Sequence, residues 1–140
     1  MERAGLAPRI GWIAADGDNF DAGVRSAEWL LERREGCTAI VACDDLVMLG
    51  VLDTLRRRGI AVPAEMSLLG FGDTQEIRSQ QTPTLSTIRA PRFQIGEQMV
   101  ALLLSRLADP RLPPRSVTLP TELILRESCG PVADEVVADP

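Results

Sequence analysis

The chain has 140 residues, 45% of them apolar, and a formal net charge of −5. That length suits one domain with a real core, and the acidic balance argues against a phosphate-binding face on this segment. There is no His, Lys or Tyr, and all 15 basic residues are Arg, which excludes His-based nucleophilic triads, His-ligated zinc, a P-loop lysine and Schiff-base chemistry within these residues.

Arg9 to Ala15 is a short apolar run that predicts a buried strand, ending in the turn formers Asp16 to Asn19. Asp18 or Asn19 can cap the next helix, whose Phe20, Val24, Ala27 and Leu31 fall on one face. Gly36 stops it. Thr38 to Cys43 is continuously apolar, as expected of a parallel strand covered on both faces. Asp44 and Asp45 open a helix to Arg57, with acid at its start and the Arg56 to Arg58 triplet at its end, both suited to the helix dipole. Met66 to Phe71 predicts a third strand, so the order to this point is β-α-β-α-β, the pattern of a parallel sheet.

After Asp73 the rhythm changes. Thr74 to Gln81 is polar and suggests a short helix. Leu85 to Ile88 is extended between Pro83 and Pro91. Arg92 to Ala108 is a helix whose apolar residues, among them Ile95, Met99 and Leu103, exceed one stripe and predict burial on two sides. Val117 to Leu125 reads as a final strand or pair, split at Pro120, and residues 132–140 as a frayed tail. The opening residues lack the apolar core of a signal peptide, and no apolar run is long enough to span a bilayer. The expected location is cytoplasmic, with no membrane partner. Cys37, Cys43 and Cys129 form no C-x-x-C pair and read as reduced; Cys43, at a strand end, leaves a reactive thiol open.

Three strand ends deliver carboxyl groups: Asp16 with Asp18, Asp44 with Asp45, and Asp73. Open α/β sheets bind ligands beyond the carboxyl ends of their strands. Acceptors gathered there suit the hydroxyls of a sugar-like ligand or a magnesium ion. Taken singly, Asp18 and Asp45 also read as helix caps and Asp73 as a turn residue. Phe20 reads equally as a ring for stacking on a sugar and as core. A phospho-acceptor domain gathers acids in the same way but needs a lysine that this chain lacks.

Several elements together carry a resemblance: the strand-Asp44-Asp45-helix, Gly59-x-x-Val62-Pro63, Gly70-Phe71-x-Asp73, Pro83-x-Leu85-Ser86-Thr87-Ile88, and Glu122-Leu123-Ile124-x-Arg126-Glu127-Ser128. From about Ile10 to Pro131 the sequence resembles the C-terminal half of LacI/GalR-family transcriptional regulators, with features of the gluconate-type branch.

The resemblance implies an α/β, parallel-sheet, periplasmic-binding-protein-like type I fold. It implies a partial effector-binding and dimerisation domain over residues 1–131, with 1–87 and 116–131 in a C-terminal subdomain and 88–115 a crossover and helix of an N-terminal subdomain. It implies a repressor role without catalysis, metal or cofactor. The partners are a sugar or sugar acid and operator DNA, the latter held only through a helix-turn-helix head absent from this sequence; a homodimer is expected of the full-length protein. A sugar-binding module of a transport system is the alternative, and a magnesium-dependent enzyme using the clustered aspartates is a third reading.

The expected effector contacts are Asp44, Asp73, Phe20 and Asp18; the expected dimer contacts are Leu49, Leu46 and Leu52. Two positions depart from the family pattern: Asp44 replaces a usual Asn, and Gly72 stands where many members carry an effector-binding Asp.

Overall fold

The computed structural model describes residues 17–33, 36–74 and 83–131. The strand expected at Arg9 to Ala15, the polar stretch 75–81 and the tail 132–140 lie outside them. Within them the order is α1 (Phe20–Arg33), β1 (Ala39–Val41), α2 (Asp45–Arg57), β2 (Ser67–Phe71), β3 (Ser86–Arg89), α3 (Arg92–Ala108) and β4 (Glu122–Ile124). The sheet runs β1-β2-β3-β4. β1, β2 and β3 are parallel and β4 is antiparallel to β3, pairing Arg89 with Glu122. The sequence-based limits of α2 and α3 match. The strands are shorter than expected, and only Glu122–Ile124 of the last segment pairs. β1 is exposed at Ala39 and Val41, so its expected two-faced burial is not met among the described residues.

The core lies between α2 and the sheet. Met48, Leu52, Leu55, Met66, Leu68 and Leu85 are fully buried, with Ala27 of α1 and Leu49 and Val51 of α2 in the same cluster. The buried face of α1 keeps part of the expected one and turns toward the small residues: Ala27 is buried and Leu31 packs against the core as expected, Ala22 and Gly23 are also inside, and Phe20 is 39% exposed. The reason is a close helix contact. A Cβ on Gly50 would lie 2.1 Å from the Phe20 carbonyl oxygen, and one on Gly23 would lie 2.0 Å from the Val47 carbonyl oxygen. Only small residues let two helix backbones approach so far.

Two ties lock the sheet. Asp45, the first residue of α2, is fully buried. Its Oδ1 accepts from the Thr87 hydroxyl of β3 at 2.7 Å and its Oδ2 from the Thr74 amide beyond β2 at 2.8 Å. The second tie is the segment after β4. Ser128 Oγ accepts from the Ser86 amide and donates to the Leu68 carbonyl, each at 2.8 Å, while the Leu68 amide donates to the Ser128 carbonyl. This segment thus bridges the amino ends of β2 and β3. Next to it, Glu127 accepts from the Thr84 amide and hydroxyl, and those bonds hold its carboxyl below the usual carboxylate range.

Two stability outcomes follow. Alanine is the better helix former by about 1 kcal/mol, yet Gly50→Ala should destabilise by about 1–3 kcal/mol, because its Cβ meets backbone that cannot swing aside. A lower guanidinium midpoint checks this; a higher one would mean that propensity outweighs the helix contact. Asp45→Ala should cost about 2–4 kcal/mol by stranding the Thr74 amide and Thr87 hydroxyl. Asp45→Asn should cost less, because an amide can accept from Thr74 and donate to Thr87. Equal losses in urea unfolding would refute that pairing.

Candidate functional site

The carboxyl ends of three parallel strands lie along one edge of the sheet. β1 leads through Ala42 and Cys43 to Asp44, β2 ends at Phe71 and leads to Gly72 and Asp73, and β3 ends at Arg89 and leads to Arg92. The sequence therefore delivers Asp44 and Asp73 to a common edge. Their surroundings differ sharply.

Asp44 is the helix cap. Its backbone is extended (φ −149°, ψ 149°), and its Oδ1 accepts from the Leu46 amide at 2.7 Å. One oxygen is thereby used, and the side chain stays partly exposed. The residue read as a possible cap, Asp45, is instead the buried tie described above. Asp45 fits only because position 70 is glycine, where a Cβ would come within 2.5 Å of its Oδ1.

Asp73 is not an open acceptor. Gly72 (φ +129°) and Asp73 (φ +53°) turn the chain sharply after β2, a turn in the left-handed region that glycine, and next to it aspartate, tolerates best. The turn puts the Asp73 side chain fully inside. Arg89 Nε donates to its Oδ2 at 2.7 Å, and Arg126 Nη2 donates to its Oδ1. Arg126 also donates to the Leu85 carbonyl at 2.7 Å, and Arg89 pairs with Glu122 at 3.0 Å. The bond to Asp73 is the main cause raising the Arg89 pKa, against the loss of solvation that lowers it. Both oxygens of Asp73, expected to contact an effector, are engaged by arginines in this conformation.

Phe20 begins α1 and its backbone abuts Gly50, beside the first half of α2. Asp18 is exposed in the preceding loop, while Asn19, not Asp18, accepts from the Ala22 amide at 2.9 Å. No hydrogen bond or ion pair brings either residue to Asp44 or Asp73 among the described residues. Of the expected dimer contacts, Leu52 is fully buried and Leu49 is 8% exposed, both in the chain's own core, while Leu46 is 41% exposed.

Four residues at or near this edge escaped the sequence reading: Phe71, Arg89, Arg92 and Arg126. Phe71 is 39% exposed at the end of β2. The only sequence signal for the arginines was a charged residue closing an otherwise apolar extended segment, as in STIR and LILR. Among the described residues no three Asp, Glu, Cys or His side chains group as metal ligands, and no helix is long and apolar enough to cross a membrane.

The profile of the periplasmic binding protein-like domain matches residues 1–129. The chain is 30% identical over 128 residues to the ribose operon repressor of Haemophilus influenzae and 31% identical over 128 residues to the repressor CytR of Escherichia coli K12. Each match covers 91% of this chain but only 38% and 37% of those proteins, so the chain spans well under half their length. A LacI-family regulator from Mycobacterium smegmatis superposes with a TM-score of 0.82 at 30% identity, over 93% of this chain and 49% of that one. The regulator CelR, solved with cellobiose, superposes with a TM-score of 0.73 at 30% identity, over 79% of this chain and 33% of that one. These relatives are repressors and regulators rather than enzymes. With a mostly parallel sheet, its strand-end turns and a match over nearly the whole chain, the protein belongs to the periplasmic binding protein-like family, in the form found in LacI-family transcriptional regulators.

Proposed function

We propose that this chain is the effector-sensing part of a LacI-type transcriptional repressor and that its effector is a sugar or sugar acid. The observation that carries the reading is the strand-end edge, where Asp44 keeps one oxygen uncommitted and Phe71 offers an exposed ring within a chain matched over residues 1–129. A polar acceptor and an exposed aromatic ring along one sheet edge suit the binding of a sugar ring. Support comes from relatives named for the ribose operon and from CelR, solved with cellobiose.

In this reading the protein acts in the cytoplasm as a homodimer, with Leu46 on the open side of α2. Operator DNA is gripped by a helix-turn-helix portion outside these 140 residues. The net charge of −5 fits a sensing part that leaves phosphate contacts to another domain. Residues 88–115 lie in a second lobe that closes on the first when effector binds.

The test is thermal unfolding of the chain with ribose, cellobiose, glucose and glucuronate. At least one sugar should raise the midpoint, since a ligand held only by the folded state stabilises it. Asp44→Asn preserves the cap, because both residues cap well, and should change the affinity for that sugar by about tenfold, the worth of one charge-assisted hydrogen bond. A midpoint indifferent to all four sugars would remove the sensing reading.

A further inference from the structure

We infer that the Arg89–Glu122 pair is the latch of a hinge, and that it sets the resting angle at which residues 90–121 stand against the sheet. The ion pairs carry the inference by themselves. The sensing reading above only gives the movement a use, as closure of one lobe on another.

Residues 90–121 form an arm. β3 and β4 pair antiparallel, and Arg89 with Glu122 is the last pair in register before the two strands part. Between them lie α3 and the segment that returns from it, and no residue from 90 to 121 is buried. The hydrogen bond from Arg106 to the Leu112 carbonyl stays within the arm. The arm also approaches the sheet at Arg92, whose Nη2 lies over Gly72 near the Asp45 carboxyl, without forming an ion pair among the described residues.

The root of the arm is tied through one guanidinium. Arg89 Nε donates to Asp73 Oδ2 at 2.7 Å, and Arg89 Nη1 to Glu122 Oε2 at 3.0 Å. The two links are unequal. The Asp73 side chain is fully inside, whereas that of Glu122 is 65% exposed. A buried carboxylate holds its partner firmly, because separation leaves an unpaired charge out of water. An exposed pair is weak and is screened by salt.

The chain just beyond β4 is pinned separately. Arg126 pairs with Asp73 and donates to the Leu85 carbonyl, and Ser128 bonds to Ser86 and Leu68. β4 therefore has a fixed end toward Arg126 and a releasable end at Glu122. When the outer pair opens, Arg89 stays on Asp73. Glu122 and the returning segment are freed, and α3 changes its angle to the sheet.

The test reads the arm directly and needs no sugar. One spin label goes on Cys43, which is exposed, and one on α3 as Gln98→Cys, in a chain that also carries Cys37→Ser and Cys129→Ser. Double electron–electron resonance then gives the distances between the sheet edge and the arm. The parent should show one dominant distance at low salt. Glu122→Gln should raise the population of displaced arms about two- to fivefold, the worth of one exposed ion pair. Salt at about 1 M should move the parent the same way and leave Glu122→Gln unchanged. Arg89→Lys keeps a charge for Asp73 but loses the fork that reaches both carboxyl groups. It should match Glu122→Gln, and the double variant should be no looser than either, because both break one link. Distances that Glu122→Gln leaves unchanged, or that move only with Arg92→Gln, overturn the latch. So does a parent already as broad as its variants. Those results would leave the sensing reading standing, and a chain indifferent to every sugar would leave the latch in place.

Discussion

The buried carboxyl of Asp45 is the constraint on which the arrangement depends. A carboxyl group shut away from water has to find hydrogen-bond partners or the fold loses several kcal/mol. Here it finds them on two other elements, the Thr87 hydroxyl of β3 and the Thr74 amide beyond β2. Because Asp45 opens α2, the same bonds fix where that helix begins relative to the sheet. They also demand glycine at position 70, since a side chain there would displace the carboxyl. One residue thereby sets α2, the turn after β2 and the register of β3 together, and the candidate site is built on those three.

A second set of bonds closes the opposite side. Ser128 satisfies Ser86 and Leu68 where β2 and β3 begin, and Arg126 reaches from the same segment to Asp73. Asp73 accordingly works as an internal counter-ion that orders two arginines. Breaking such a partly buried pair costs more than its formation contributes, because one charge is left without a partner. The short edge strand β4, of three residues, is thus held by the Arg89–Glu122 side-chain pair as well as by its own ladder.

The architecture was largely legible in the sequence because it rests on local signals. The caps and glycine stops gave the limits of α2, and continuous apolar runs gave the parallel strands. The roles of individual aspartates were not legible, because they depend on partners far along the chain. Asp44 and Asp45 are adjacent and chemically identical, yet one caps a helix and the other is buried, a choice made by Thr87, 42 residues away. The two ion pairs of Asp73 were hidden for the same reason: its arginines lie 16 and 53 residues on. On α1 the expected Ala27 and Leu31 do meet the core, but Gly23 and Ala22 were missed, because contact with Gly50 favours the smallest side chains.

The contrast between α3 and the rest of the chain bears on how the site is held. α3 has no buried residue, and Met99, Leu103, Leu104 and Leu107 are each more than half exposed. A contiguous apolar face of that kind marks an interaction surface. The chain just ahead of α3 is, by contrast, held by the sheet. Arg89, three residues earlier, is fixed on both sides by Asp73 and Glu122, and the Gly72 amide donates to the Ile88 carbonyl at 2.8 Å. The chain is thus anchored just ahead of α3, whose apolar face lies open beyond that anchor. The hydrogen-bonded end of β3 and the exposed helix meet between Arg89 and Arg92.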